Sequence, residues 1–299
     1  MGLESKHIAI AGGTGLVGSH VCKMLESKGH RVSILTRKPG ANDNNRILWN
    51  PEKESISSFE GCDVLINLAG AGIVDKPWTD DYKSLITKSR INSVRTLDKY
   101  IKLWQKKPST YVNASAIGIY GTHGSHVFQE GDKAFEKDFM VEVVEEWEKA
   151  VHQMNSNIEN RFVFRIGLVL TTDGGVYAKM NRPAMTGVSG YFGNGDQWYS
   201  WIHIDDLASM ITAAVEGQLP SGVYNAVSPN PEKASNFAKF IKRWGVVLPI
   251  PSFLMKTILG ERLKALTNST RVSANKILKE GFVFHFNTLQ EALTDLRSP

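Results

Sequence analysis

The sequence Gly12-Gly13-Thr14-Gly15-Leu16-Val17-Gly18 lies directly between an apolar run and a helical pattern. The apolar run covers residues 7–11, and the helical pattern covers residues 19–28. The glycines satisfy the spacing G-x-G-x-x-G, in which missing side chains permit a tight turn, a close approach of backbone amides to phosphate, and packing of the helix on the strand. The first helix also offers unpaired N–H groups to an anion. The sequence therefore predicts a turn that holds a dinucleotide pyrophosphate.

The second predicted strand covers residues 31–36 and ends in Thr36-Arg37-Lys38. An enzyme selective for NAD places a carboxylate here, against the ribose 2′-hydroxyl, and this sequence has no acidic residue at that point. The guanidinium of Arg37 carries a fork of donors that binds a 2′-phosphate bidentately, and Lys38 adds a second positive charge. We therefore predict NADP(H) as the cofactor. The alternative is that both cations are solvated loop residues.

Composition indicates a soluble protein of enzyme size. The chain has 299 residues, of which 42% are hydrophobic and 22% charged, and this is enough to form a large core. The formal charge of +5 is mild and the cations are dispersed, so we expect no nucleic-acid partner. Cys22 and Cys62 are too few for a disulfide framework, and no metal site is indicated. Without a signal peptide or a membrane-spanning run, the expected location is cytoplasmic.

Strands and helices alternate along the chain in the order typical of an α/β protein with a doubly wound parallel sheet. Strand patterns cover residues 62–70, 110–114 and 161–170, and helical patterns cover residues 80–104 and about 138–154. We predict a Rossmann-like nucleotide-binding domain over residues 1–170. Residues 171–299 are expected to form a smaller, interleaved C-terminal α/β lobe for the substrate, with some elements returning to the first domain.

Several further motifs occur in an order typical of one known superfamily. They are Gly-Gly-Thr-Gly at 12–15, Ser-Ala-Ile-Gly-Ile-Tyr-Gly at 115–121, Trp147-Glu148, and the segments 201–206, 224–229, 281–282 and 291–293. Over nearly its whole length the chain resembles an atypical extended short-chain dehydrogenase/reductase of the NAD-dependent epimerase/dehydratase superfamily. More closely, it resembles the epimerase-family subgroup with a small C-terminal domain of unassigned role.

The resemblance implies a Rossmann-like domain that binds NADP(H). It places cofactor contacts at Gly12, Gly13, Thr14, Gly15, Leu16, Val17, Thr36, Arg37, Leu68, Ala69, Arg90 and Leu170. On its own pattern, Arg90 is equally well read as a surface arginine of an amphipathic helix.

The sequence departs from the superfamily at its proton-transfer residues, which are a Tyr-x-x-x-Lys pair. The lysine lowers the pKa of the tyrosine, which moves the proton on the substrate oxygen while a hydride moves on carbon. No tyrosine of this chain is followed four residues later by lysine. Alignment on Glu148 puts Met140 at the tyrosine position and Val144 at the lysine position, and neither side chain can donate or accept a proton.

Two hydroxyls are weak catalytic candidates. Ser115 corresponds to the assisting Ser or Thr in one alignment, whereas alignment on Tyr120 puts Ala116 there; the alternative for Ser115 is a hydrogen bond to local backbone. Tyr120 is a second candidate, and its alternative is a packed aromatic ring. The other groups that could transfer a proton are His123, His126, Asp138, Glu142, Glu145 and His203. His203 precedes a predicted helix start, where we expect Asp205 to be the cap.

The expected partner is a small molecule, carbonyl-containing or sugar-like, bound by the second half of the chain. The glycine-rich loop 190–198 offers aromatic surface, and Arg271 lies where extended relatives often bind a sugar-nucleotide diphosphate. Long helices over 80–104 and 138–154 make a homodimer plausible. The sequence thus favours an NADP(H)-dependent oxidoreductase or epimerase. The alternative is a catalytically silent NADP(H)-sensing or structural module.

Overall fold

The computed structural model describes residues 4–38, 45–242, 244–251, 260–263 and 267–298. Its strands are β1 (His7–Ala11), β2 (Arg31–Thr36), β3 (Arg46–Asn50), β4 (Ser55–Ile56), β5 (Val64–Asn67), β6 (Thr110–Ala116), β7 (His123–Phe128), β8 (Asn160–Ile166), β9 (Leu168–Leu170), β10 (Val188–Phe192), β11 (Trp198–Tyr199), β12 (Trp201–His203), β13 (Gly222–Ala226), β14 (Glu232–Lys233), β15 (Val246–Ile250) and β16 (Thr270–Val272). The helices are α1 (Leu16–Ser27), α2 (Asp80–Ile101), α3 (Phe139–His152), α4 (Gly175–Met185), α5 (Ile204–Val215), α6 (Ala234–Ile241), α7 (Asn275–Lys279) and α8 (Leu289–Asp295).

The centre of the molecule is an eight-stranded sheet with the order β13-β8-β6-β5-β1-β2-β3-β4. Its pairs are parallel except for the antiparallel pair β3–β4 at one edge. The strand order reverses at β1, which has β2 on one side and β5 on the other. In open parallel sheets, ligands bind beyond the carboxyl ends of the strands at such a reversal. The predicted α/β doubly wound fold is confirmed, and the glycine turn lies at the reversal.

Helices cover both faces of this sheet and bury its apolar residues. On one face α1 packs against α5, and their core side chains include Val21, Leu25, Leu207 and Ile211. On the other face α2 packs against α3, with Val94, Leu97, Trp147 and Val151 in the core. Both faces of the central strands are therefore apolar, which is why these strands read as continuous hydrophobic runs.

The predicted strand 161–170 is wrong as a single element, because the chain changes sheets within it. Strand β8 pairs with β6 and β13 in the main sheet, and β9 instead pairs with β12. Gly167 separates the two strands. A Cβ atom at Gly167 would lie 2.3 Å from the carbonyl oxygen of Ser200, so only glycine permits this approach of two backbones.

The C-terminal part contributes both to the main sheet and to a smaller layer. Strand β13 extends the main sheet at the β8 edge. A third apolar cluster joins Leu170, Tyr177, Trp201, Phe237 and Leu293, and it packs α4, α6 and α8 together. Among the described residues, no helix combines the length and apolar character needed to cross a lipid bilayer.

Candidate functional site

The glycine turn after β1 packs directly on the end of β5. Gly12 has a φ of +81°, and a Cβ atom there would lie 2.8 Å from the carbonyl carbon and oxygen of Leu68. A Cβ atom at Gly18 would lie 2.2 Å from the carbonyl oxygen of Gly12. The backbone amide of Gly15 donates to the same oxygen at 2.9 Å and closes the turn. These contacts leave no room for side chains, as the motif requires.

The N-terminus of α1 opens from this turn without a capping side chain. Gly15 is the N-cap residue, and the first turn of α1 contains no acidic residue. Thr14 and Gly15 are both exposed. The first backbone N–H groups of the helix therefore face outward at the positive end of the helix dipole, an arrangement that suits an anion such as a pyrophosphate.

The other predicted cofactor residues lie at the ends of neighbouring strands. Thr36 ends β2, and Arg37 and Lys38 follow it with exposed side chains. Leu68 and Ala69 follow β5 and are half-buried. Because β2 and β5 flank β1, the sheet brings these three segments to one edge around the glycine turn.

Two further predicted contact residues, Leu170 and Arg90, are buried. Leu170 ends β9 and is fully buried in the third apolar cluster. Arg90 is 8% exposed; its Nη1 atom donates to the carbonyl oxygens of Ala71 at 3.1 Å and Ile86 at 2.9 Å. Its guanidinium lies 5.1 Å from the Trp147 ring centroid, and burial lowers the pKa of Arg90 to about 10. Arg90 thus supports the loop that follows β5.

A cavity of about 600 Å³ opens beyond the carboxyl ends of β6 and β8. Its walls are mostly apolar and include Ile73, Ala116, Ile117, Met140, Ile166, Leu168, Met180, Phe192 and Trp198. The volume and the apolar lining are typical of small-molecule sites. The cavity therefore occupies the position where a parallel sheet of this kind binds a ligand.

Helix α4 connects the cavity to the glycine turn. A Cβ atom at Gly174, the N-cap residue of α4, would lie 3.4 Å from Cδ1 of Leu16 in α1. Further along the same helix, Val176, Lys179 and Met180 line the cavity. The turn that suits a pyrophosphate and the cavity are thus parts of one continuous region.

The positions that correspond to the Tyr-x-x-x-Lys pair lie on the cavity side of α3. Met140 lines the cavity, and Val144 is buried. A Cβ atom at Gly118 would lie 3.6 Å from Cβ of Met140 and 3.7 Å from Cγ2 of Val144. This part of the wall therefore contains aliphatic and thioether groups, which have no proton to transfer.

Ser115 and Tyr120 belong to a buried polar network beside the cavity. Ser115 Oγ donates to Glu148 Oε1 at 2.6 Å, and Arg165 donates to both carboxylate oxygens of Glu148 at 2.8 Å. Arg165 Nη1 also donates to Tyr120 Oη at 2.8 Å, and Tyr120 in turn donates to Asn225 Oδ1 at 2.6 Å. Neither candidate hydroxyl is among the described residues that line the cavity.

Charge and burial act in opposite directions within this network. Burial alone lowers the pKa of Arg165, and the hydrogen bonds and charge of Glu148 outweigh it, so the net pKa is raised. Burial raises the pKa of Tyr120 to about 12, and Arg165 opposes part of that rise. At neutral pH Arg165 is therefore charged, and the Tyr120 hydroxyl is protonated.

The remaining acid–base candidates lie outside the cavity lining. Asp138 caps α3 by accepting from the amides of Met140 and Val141, both at 2.9 Å. His123 and His126 belong to strand β7, and Glu142 and Glu145 belong to α3. His126 contacts Asp132 at 2.9 Å, Glu145 pairs with Lys137 at 2.8 Å, and neither His123 nor Glu142 is among the described lining residues.

His203 caps α5, so the prediction that Asp205 is the cap is wrong. His203 Nδ1 accepts from the backbone amide of Asp205 at 3.2 Å, because the His203 side chain points back toward the first turn. Its Nε2 atom lies 3.3 Å from Asp295 Oδ2 at the end of α8. Burial lowers the pKa of His203, and the charges of Asp205 and Asp295 oppose this shift less strongly.

Sequence reasoning did not find several residues of this region. Ile73 and Arg262 line the cavity, and Glu148 and Arg165 pair beneath it, although none of them was predicted to do so. Each lies far along the chain from its partners. A charged pair at the buried positions of α3 and β8 was the one available signal, since buried charges require partners.

Comparisons with known proteins agree with this geometry. The family model described as NAD dependent epimerase/dehydratase family matches residues 8–226, and a domain of unknown function matches residues 250–296. An epimerase family protein of Staphylococcus haemolyticus is 34% identical over 97% of this chain and 99% of its own length. The crystal structure of a human epimerase family protein with NADPH has a TM-score of 0.88 at 29% identity, covering 97% of this chain and 98% of that chain.

A second solved structure is described as a nucleoside-diphosphate sugar epimerase from Corynebacterium glutamicum. It has a TM-score of 0.79 at 28% identity, and the match covers 97% of this chain and 58% of that chain. A UDP-glucose 4-epimerase of Thermus thermophilus with NAD has a TM-score of 0.71 at 16% identity, which shows a shared fold.

Proposed function

Because this chain belongs to the NAD dependent epimerase/dehydratase family, we propose that it is an NADP(H)-dependent oxidoreductase acting on a small carbonyl compound. One observation carries the proposal: α4 contacts the glycine turn at its start and lines the 600 Å³ cavity further along. A dinucleotide held by its pyrophosphate at the turn would extend one end toward that cavity. Bound NADP(H) would supply or accept a hydride there.

The preference for NADP(H) over NAD(H) rests on charge at the end of β2. Arg37 and Lys38 are exposed there, and no carboxylate occupies the position that would bind a free ribose 2′-hydroxyl. A 2′-phosphate would gain charge-assisted hydrogen bonds from Arg37. The human relative crystallised with NADPH supports the same choice.

Proton transfer in this proposal falls to Tyr199, because Met140 and Val144 cannot perform it. Tyr199 lines the cavity, and burial raises the pKa of its hydroxyl to about 12. The hydroxyl is therefore protonated at neutral pH, and in this proposal it donates its proton to the carbonyl oxygen of the substrate while the carbonyl carbon receives the hydride. Ser115 and Tyr120 stay candidates from the sequence alone.

Calorimetric titration with NADPH and NADH tests the cofactor assignment. We expect Arg37→Ala to weaken NADPH binding by about tenfold or more, as expected for loss of hydrogen bonds to a charged group, with NADH binding unchanged. Arg95→Ala, an exposed arginine of α2, is the matched control and should change neither affinity. Equal losses for both cofactors would refute the assignment.

The apolar wall at Met140 and Val144 favours a second candidate, a protein that binds NADP(H) without hydride chemistry. The two functions separate in one assay, NADPH oxidation across a panel of carbonyl compounds. If the protein is an oxidoreductase, turnover should fall in Tyr199→Phe and persist in Tyr100→Phe. Tight NADPH binding with no oxidation of any compound would favour the second candidate.

A further inference from the structure

We propose that the cavity beyond β6 and β8 accepts a molecule with an apolar body and one anionic group, and that it does not accept a sugar nucleotide. The proposal rests on the proposed function, since it names the substrate class of the same site. Three observations support it: the walls, the state of the polar atoms among them, and the sign of the charges at the site.

The walls supply hydrophobic contact on several sides. Ile117 follows β6, Leu168 begins β9, and Met180 belongs to α4. Phe192 ends β10 and Trp198 begins β11, both within the glycine-rich loop 190–198. Apolar surface of this extent favours a ligand that buries alkyl or ring carbon, at about 25 cal/mol for each Å² removed from water.

Three neutral polar side chains among the walls, those of Ser200, Thr270 and Asn268, are already hydrogen-bonded to the protein. Ser200 Oγ donates to the carbonyl oxygen of Thr270 at 2.8 Å and accepts from the amide of Val272 at 2.9 Å. Thr270 Oγ1 donates to the carbonyl oxygen of Gly121 at 2.7 Å. Asn268 Nδ2 donates to Asp138 Oδ2 at 3.3 Å.

A ligand rich in hydroxyl groups would therefore lose its hydrogen bonds to water and find few replacements in this cavity. Leaving buried hydroxyls unpaired costs free energy that apolar contacts cannot recover, and a sugar ring carries several such groups. An apolar body does not incur this cost.

The charged side chains among the described lining residues are Lys179 and Arg262, and none is a carboxylate. Lys179 is exposed as well as lining the cavity, so it lies at the opening. Arg262 Nη1 donates to the carbonyl oxygen of Val74 at 3.5 Å and adds a second positive charge to the lining. The cation of Lys179 at the opening favours one anionic group on the ligand.

Arg271, which the sequence suggested as a diphosphate ligand, stacks on a ring of the cavity wall. Its guanidinium lies 4.3 Å from the ring centroid of Trp198, and Arg271 is not among the described residues that line the cavity. Its cation is therefore engaged by the Trp198 ring. A nucleotide diphosphate would have to compete with this stacking for Arg271.

The test is calorimetric binding of carboxylates from butanoate to decanoate, their primary amides, and UDP-glucose, with the protein saturated in NADP⁺. We expect affinity to rise by about fourfold for each added methylene until the cavity is filled. Each carboxylate should bind more tightly than its amide. Lys179→Met should weaken carboxylate binding by about tenfold and leave amide binding unchanged. Lys179→Arg keeps the positive charge and should retain carboxylate binding.

Lys149→Met, an exposed lysine of α3, is the matched control and should bind every probe as the unmodified protein does. UDP-glucose binding more tightly than decanoate would overturn the proposal, as would a carboxylate series without a chain-length dependence. Failure of the proposed function gives a different result: either NADP⁺ binding, which is measured first, is lost, or NADPH binds and no compound of the carbonyl panel is reduced, whereas the carboxylate series is scored by binding alone.

Discussion

Removing the carboxylate of Glu148 should destabilise the protein far more than removing an exposed carboxylate of the same helix. Glu148 and Arg165 are 5% and 7% exposed and share two hydrogen bonds of 2.8 Å. Among the described residues, Glu148→Met leaves the buried guanidinium with Tyr120 and the carbonyl oxygen of Glu130 as its acceptors. Breaking one side of a buried ion pair costs roughly 3–5 kcal/mol.

This loss should lower the melting temperature by about 10 °C, at a few degrees per kcal/mol for a protein of this size. The double variant Glu148→Met/Arg165→Met removes both charges and should recover most of the loss, because apolar residues replace buried ion pairs at little cost. Calorimetry or urea unfolding measures all three proteins. Glu146→Met is the exposed control on α3 and should stay within about 0.5 kcal/mol of the unmodified protein.

The reasoning would be refuted by a single variant that loses less than about 1 kcal/mol, or by a double variant no more stable than Glu148→Met. Either result would mean that the network is loosely packed or hydrated. Ser115 would then be freer to act elsewhere, since its hydroxyl donates to Glu148.

Two further predictions concern the glycine turn and His203. Gly18→Ala should cost about 2 kcal/mol of unfolding free energy and abolish NADPH binding, because its Cβ atom would lie 2.2 Å from the Gly12 carbonyl oxygen. Gly131 has open space around it, so Gly131→Ala should change neither stability nor binding. Thermal unfolding measures the stability of the two variants, and calorimetric titration measures their NADPH binding. Burial lowers the pKa of His203 below its usual 6.5, so the unfolded chain takes up a proton that the folded chain resists. The stability that this residue contributes is present above pH 6.5 and is lost as the pH falls toward the folded pKa. The unfolding free energy should change by at most about 1.4 kcal/mol per pH unit from this residue. Urea titrations at several pH values should find a smaller pH dependence in His203→Asn.

Local spacing was sufficient to predict the fold and the glycine turn. The period of the hydrophobic residues predicts β1, β2, β5, β6 and β8 of the main sheet and the helices α1, α2 and α3. The glycine spacing predicts the turn because its steric constraint acts between residues that are neighbours in sequence. The prediction of strand 161–170 failed at Gly167, because the residue that requires a glycine there is Ser200, which lies between β11 and β12 and is distant in sequence.

The sequence by itself therefore determined the doubly wound sheet and the order of its elements, along with a phosphate-sized turn followed by cations. Only the tertiary structure decided that Ser115 and Tyr120 join Glu148 and Arg165, and that Arg271 stacks on Trp198. It also decided which residues surround the cavity, from Ile73 to Thr270. The physical reason is separation along the chain: periodicity and turn chemistry act between near neighbours, whereas a buried ion pair or a cavity wall exists only after distant segments have packed.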